Sequence, residues 1–169
     1  MPTIQVLSVW LHILAAAVWI GGMVFLAVVL VPVLRKPELR EHAAVLIHVT
    51  GIRFRYVGWV CLVVLIGTGI VNLTRWGIGW SELTSVDLWR SSFGHTLATK
   101  LVLVAFVLAL SGVHDFVIGP RATAVLRDAP DSDRARHLRQ MARWIGRLTL
   151  LLALAVVALA VMLARGTPW

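Results

Sequence analysis

The chain has 169 residues, of which 59% are hydrophobic and 14% charged, and its mean hydropathy is +0.87; soluble domains hold roughly 45–50% apolar and about 25% charged residues. A soluble globular fold is excluded. Sixteen Lys and Arg against eight Asp and Glu leave a net charge of +8, which in so apolar a chain belongs to span ends and anionic lipid head groups, not to nucleic acid.

A membrane-crossing helix takes about 17–25 apolar residues, and four such stretches follow one another. The first covers about residues 4 to 34 and leaves the membrane at Pro32, Arg35, Lys36 and Pro37. Its uncharged run is too long for the apolar part of a secretory signal, so a retained span is expected. The second covers Tyr56 to Thr74, with an amphipathic helical lead-in from Pro37 that carries Glu38, Arg40, Glu41, Arg53 and Arg55. The third starts near Gly94 and runs to about Val117, where Gly119 and Pro120 predict a stop. Asp131 or Ser132 is placed to cap the fourth helix, whose apolar part is Leu148 to Ala164 between Arg147 and Arg165. The expected fold is all-α: an integral membrane four-helix bundle, one domain over residues 1–169.

Orientation follows from the cations. Five basic residues lie between spans one and two and seven between spans three and four, whereas the opposite side has only Arg75, Arg90, Arg165 and, inside its span, Lys100. The positive-inside rule then puts both termini and the 76–94 loop in the periplasm of a bacterial inner membrane. Trp10, Trp76, Trp80, Trp89 and Trp169 suit an outer aromatic belt, and Trp59 and Trp144 an inner one. The single cysteine, Cys61, rules out an internal disulfide.

Polar side chains are costly in lipid and so mark interior faces. Gln5, Ser8 and His12 share a helical stripe that continues through Trp19 and Met23; Cys61, Leu65, Thr68 and Asn72 share a second; Thr96, Lys100, Val107, Ser111 and His114 share a third. Span four has little beyond Thr149. With span midpoints near residues 18, 64, 106 and 156 and about 1.5 Å of rise per residue, His12 and Lys100 each fall six residues outward, and Thr68 and Asn72 four and eight. They predict one outer-half site. His114 and Asp115 mark a second polar cluster nearer the cytoplasm, at the level of Arg53 and Arg55.

Each candidate has two readings. His12 is either an interhelical hydrogen-bonding residue or a ligand; Lys100 either snorkels to the outer head groups or enters the site. His114 with Asp115 either caps and pairs with Arg53 or Arg147, or binds a cofactor. Met23 and Cys61 are soft donors of the kind copper(I) takes, and equally ordinary core residues. The pairs Gly21-Gly22 and Gly67-Thr68-Gly69 allow close helix approach.

The run Leu11-His12 through Trp19 to Gly21-Gly22 resembles the LHxxxxxxWxGG opening of the copper-resistance protein D (CopD) domain family. Gly94 through Lys100-Leu101 to Pro120-Arg121 is similar to that family's third helix, and Gly67-Thr68-Gly69 to a glycine pattern of its second. The resemblance implies an inner-membrane bundle that handles periplasmic copper, often beside a small periplasmic copper-binding partner. More distantly the chain resembles the HemJ-type protoporphyrinogen oxidases, which implies haem b with His12 as its contact and Lys100 as a basic partner. That family's histidine two residues before the lysine is replaced here by Ala98, the nearest histidine being His95. The function expected is copper handling or transport through the outer-half site, with copper drawn by His12, Met23 and Cys61 and a cofactor by His12, Lys100, Trp19, Asn72 and His114. Haem binding, membrane oxidoreductase chemistry and a non-catalytic accessory subunit are the alternatives. The partners considered are the lipid bilayer, a periplasmic copper-binding protein and, in a homo-oligomer, a second copy of the chain.

Overall fold

The computed structural model describes residues 2–128 and 132–166, so Asp131 and Trp169 lie outside the described residues. Among them there is no strand, and four helices are long and apolar enough to cross a membrane: Thr3–Val33, Glu41–Thr74, Ser92–Ala122 and Asp133–Arg165. They fall into two compact units, 1–85 and 86–169, each a hairpin of two long helices.

In the first hairpin, α1 (Pro2–Val24) begins on a proline, whose missing N–H costs nothing at a helix start. It runs into a π-helical segment, Phe25–Leu30, and a last α turn, Val31–Val33. The cause is Pro32. A proline inside a helix lacks an N–H and its ring presses on the carbonyl four residues back, and the chain adapts by widening: the Val31 amide bonds to Leu26, five residues back. After a 3-10 turn at Pro37–Leu39, α2 (Arg40–Arg75) forms the expected lead-in and second span as one helix.

α2 ends in a Schellman motif, with the Gly77 amide on Thr74 at 3.1 Å and the Ile78 amide on Leu73 at 3.3 Å. Gly77 has φ +71°, a conformation glycine adopts without strain, and the turn tucks Ile78 into the interior. A short helix, Trp80–Leu83, follows, its start tied by the Glu82 carboxylate accepting from the Gly79 amide at 2.8 Å.

In the second hairpin, Ser91 caps α3 (Ser92–Gly112), its Oγ accepting from the Gly94 amide at 3.0 Å. The preceding short helix Val86–Arg90 lies so close that a Cβ on Gly94 would meet the Leu88 carbonyl oxygen. The stop expected at Gly119 and Pro120 does not occur. A second π segment, Val113–Ile118, with the Gly119 amide bonded to His114, absorbs Pro120, and helix continues over Gly119–Asp128. Each hairpin thus carries a six-residue π segment ending two residues before a proline. Ser132 caps α4 (Asp133–Arg165), accepting from the Ala135 amide at 3.2 Å.

Most apolar side chains point away from their own hairpin, Ile4, Val60, Val63 and Leu151 among them. That is the arrangement of helices whose outer faces meet hydrocarbon. Trp10, Trp76, Trp80 and Trp144 are exposed, and the Arg147 guanidinium lies 5.5 Å from the Trp144 ring centre.

Candidate functional site

The interface of the first hairpin is built from the stripes read in the sequence. Ser8, Ala15 and Trp19 of α1 are buried, as are Gly58, Cys61 and Leu62 of α2. Two glycines set the register. The Trp19 ring packs over Gly58, with Cδ1 3.4 Å and Nε1 3.5 Å from where a Cβ would stand, an ordinary van der Waals contact, whereas the Phe54 ring fills the place of a Cβ on Gly22. Trp19 is buried at this interface.

This antiparallel register carries His12 to Thr68. His12 Nδ1 lies 2.8 Å from Thr68 Oγ1, while the Thr68 hydroxyl donates to its own helix at Val64 O, 2.6 Å away. A threonine hydroxyl has one proton. With that proton on Val64, Thr68 accepts from His12, so Nδ1 carries the ring hydrogen and Nε2 of the neutral ring carries the lone pair. Ser8 donates to the Thr68 carbonyl at 3.3 Å, and the His12 ring approaches Gly69, where a Cβ would stand 3.7 Å from Cε1. One turn further along α2, Asn72 Oδ1 is buried and has no hydrogen-bond partner among the described residues. Ser8, His12, Thr68 and Asn72 together form a polar cluster in an otherwise apolar hairpin.

The other candidates lie elsewhere. Cys61 is buried in the hairpin interface, seven residues from Thr68, or about 10 Å along the helix. Met23 is half-buried, eleven residues and about 16 Å along α1 from His12. The two soft donors are strung along the first hairpin and do not surround the His12 ring. Lys100 is half-buried on α3 of the second hairpin. His114 sits in the second π segment, its Nδ1 3.1 Å from Asp115 Oδ1. Among the described residues, no group of three or more His, Cys, Asp or Glu is placed to hold a metal ion. Depth and helical period in the sequence put Thr68, Asn72 and Lys100 in one predicted site with His12; that Thr68 is the residue it meets, and that Val64 O sets the tautomer, no motif reports.

The sequence pattern of the CopD (copper resistance protein D) family matches residues 48–163. The chain belongs to the CopD family. The matched segment of this CopD-family chain includes Cys61, Thr68, Asn72, Lys100 and His114 and starts beyond α1. An uncharacterized protein of Aquifex aeolicus (strain VF5) is 32% identical over 162 residues, covering 95% of each chain. The copper transport protein CutJ of Bacillus subtilis (strain 168) is 27% identical over 113 residues, 66% of this chain but 19% of CutJ. The matched segment thus covers about a fifth of that relative's length. No solved structure matches.

Proposed function

We propose that this multi-pass CopD-family protein handles copper at a bacterial inner membrane, with the metal as cargo and His12 Nε2 as its first ligand. Both termini face the periplasm in this reading, and a small periplasmic copper-binding protein is the natural donor or acceptor of the ion. The observation that carries it is the His12–Thr68 hydrogen bond: it orients the imidazole and keeps Nε2 the lone-pair nitrogen, the form in which histidine binds metal. Imidazole suits copper, and the buried, unpartnered Asn72 oxygen supplies a neutral donor one turn away. Few ligands, all neutral, fit an ion that binds, is passed on and leaves; a closed structural site would need about four. CutJ, a copper transport protein by name, supports the same cargo. Lys100 is the second functional residue of this reading.

The test is copper titration of protein purified in mild detergent, with metal analysis and an optical spectrum. Copper is expected to bind the wild type and to be lost in His12→Ala with helix content unchanged. Lys100→Met, alone and combined with His12→Ala, shows whether the two act in one step. Unchanged copper binding in His12→Ala overturns the assignment. A reducible Soret band with about one iron per chain would replace copper by haem b.

A further inference from the structure

At the Phe54–Gly22 contact, the π segment and α2 flank an open, shallow groove of about 380 Å³ that the copper reading does not use. Its volume is at the small end of the roughly 300–1,000 Å³ of ligand sites. Phe25, Leu26 and Leu30 of the π segment form one wall and Val49 and Val57 the other. All lining residues belong to the first hairpin. The single charge on the groove is Arg53, which has no acidic partner among the described residues. Its place in the chain matters: Arg53 lies three residues before Tyr56, where the uncharged run of α2 begins, and that run of 19 residues spans about 28 Å, close to the thickness of the hydrocarbon core.

We propose that this groove binds an anionic phospholipid of the leaflet on the basic side of the membrane, its phosphate on Arg53 and an acyl chain between Phe25 and Val57. An apolar trough with one cation on its edge matches an amphiphile with one anionic group and an alkyl tail. The guanidinium forms paired hydrogen bonds to phosphate oxygens, and the widened π turn leaves the apolar wall against which the chain lies. A zwitterionic lipid offers the same tail with a headgroup whose own ammonium competes for the phosphate, so the site selects by charge. This inference is independent of the copper site: none of its residues contributes to the His12 cluster.

The experiment is native mass spectrometry of the full chain in detergent, exposed to equal amounts of phosphatidylglycerol and phosphatidylcholine with matched chains. Phosphatidylglycerol is expected to be retained several-fold over phosphatidylcholine. Arg53→Gln should lower that preference about fivefold, while Arg134→Gln, on the other hairpin, leaves it unchanged. Val57→Trp narrows the trough and should reduce retention of both lipids; Leu26→Trp does the same from the facing wall and serves if the first variant misfolds. An unchanged lipid ratio in Arg53→Gln overturns the proposal. So does full retention in both tryptophan variants, or displacement of phosphatidylglycerol by millimolar inorganic phosphate, which would reduce the site to a simple anion contact.

Discussion

His12 Nδ1 stands 2.8 Å from the Thr68 hydroxyl oxygen, and that hydroxyl donates its one hydrogen bond to Val64 O. Which ring nitrogen of His12 carries the lone pair is therefore decided by α2, not by His12 itself. Thr68→Val keeps the side-chain shape and removes the acceptor, leaving the Nδ1 hydrogen unsatisfied at a cost of about 1–3 kcal/mol. Copper affinity should fall about 10- to 100-fold, as for other supporting partners of ligating histidines, and Thr68→Ser should restore it. Nitrogen NMR of labelled histidine reads the tautomer without any metal. A wild-type spectrum with the hydrogen on Nε2 would refute the argument.

The second hairpin contains glycines of opposite kinds. A Cβ on Gly94 would overlap the Leu88 carbonyl oxygen and sit 2.9 Å from Trp89 Cα, backbone atoms that cannot rotate away. Gly94→Ala should destabilise by about 1–3 kcal/mol, the range for overpacking, and release the Val86–Arg90 helix. Gly146 in α4 has nothing within 4 Å of a would-be Cβ, so Gly146→Ala should stabilise by about 0.5–1 kcal/mol. Thermal unfolding in detergent measures both, and equal effects of the same sign would contradict the packing described.

Glu82 predicts a pH dependence confined to the 76–85 loop. The Gly79 amide, with the Glu82 backbone and the Ser81 hydroxyl, holds its carboxyl below the usual glutamate range. A carboxyl with a lowered folded pKa contributes stability that is full above its unfolded value, about 4.3, and that is lost as pH falls through the lower folded value. The Gly79 amide NMR shift should titrate with a midpoint below that of a free glutamate and become flat in Glu82→Gln. A midpoint at or above the free value would show that the contact does not persist in solution.

Topology is tested by fusion. Twelve of the sixteen basic residues lie in the two connections between spans one and two and between spans three and four, so a periplasm-dependent reporter attached at the C-terminus should be active. The same reporter inserted after Lys36, in the exposed first connection, should be silent. The reverse pattern would exchange the two faces and place the His12 cluster in the cytoplasmic half.

Composition and period were enough to determine the four spans, because a backbone in lipid must satisfy its own hydrogen bonds and only helices of this length do so here. The Ser8–His12 and Thr68–Asn72 stripes were equally legible, since side chains three, four and seven residues apart share a helix face whatever that helix meets. The partner of His12 was decided by tertiary structure: Trp19 on Gly58 and Phe54 on Gly22 set the antiparallel register, and a different register would bring another residue of α2 to the imidazole. So was the passage of helix through Pro120. Sequence rules read Gly119-Pro120 as a stop because proline breaks the four-residue hydrogen-bond pattern, whereas the folded chain shifts to a five-residue pattern one turn earlier and continues. The first π segment does the same before Pro32 and forms a wall of the Arg53 groove, a space that arises only where two helices pack and that neither helix encodes alone.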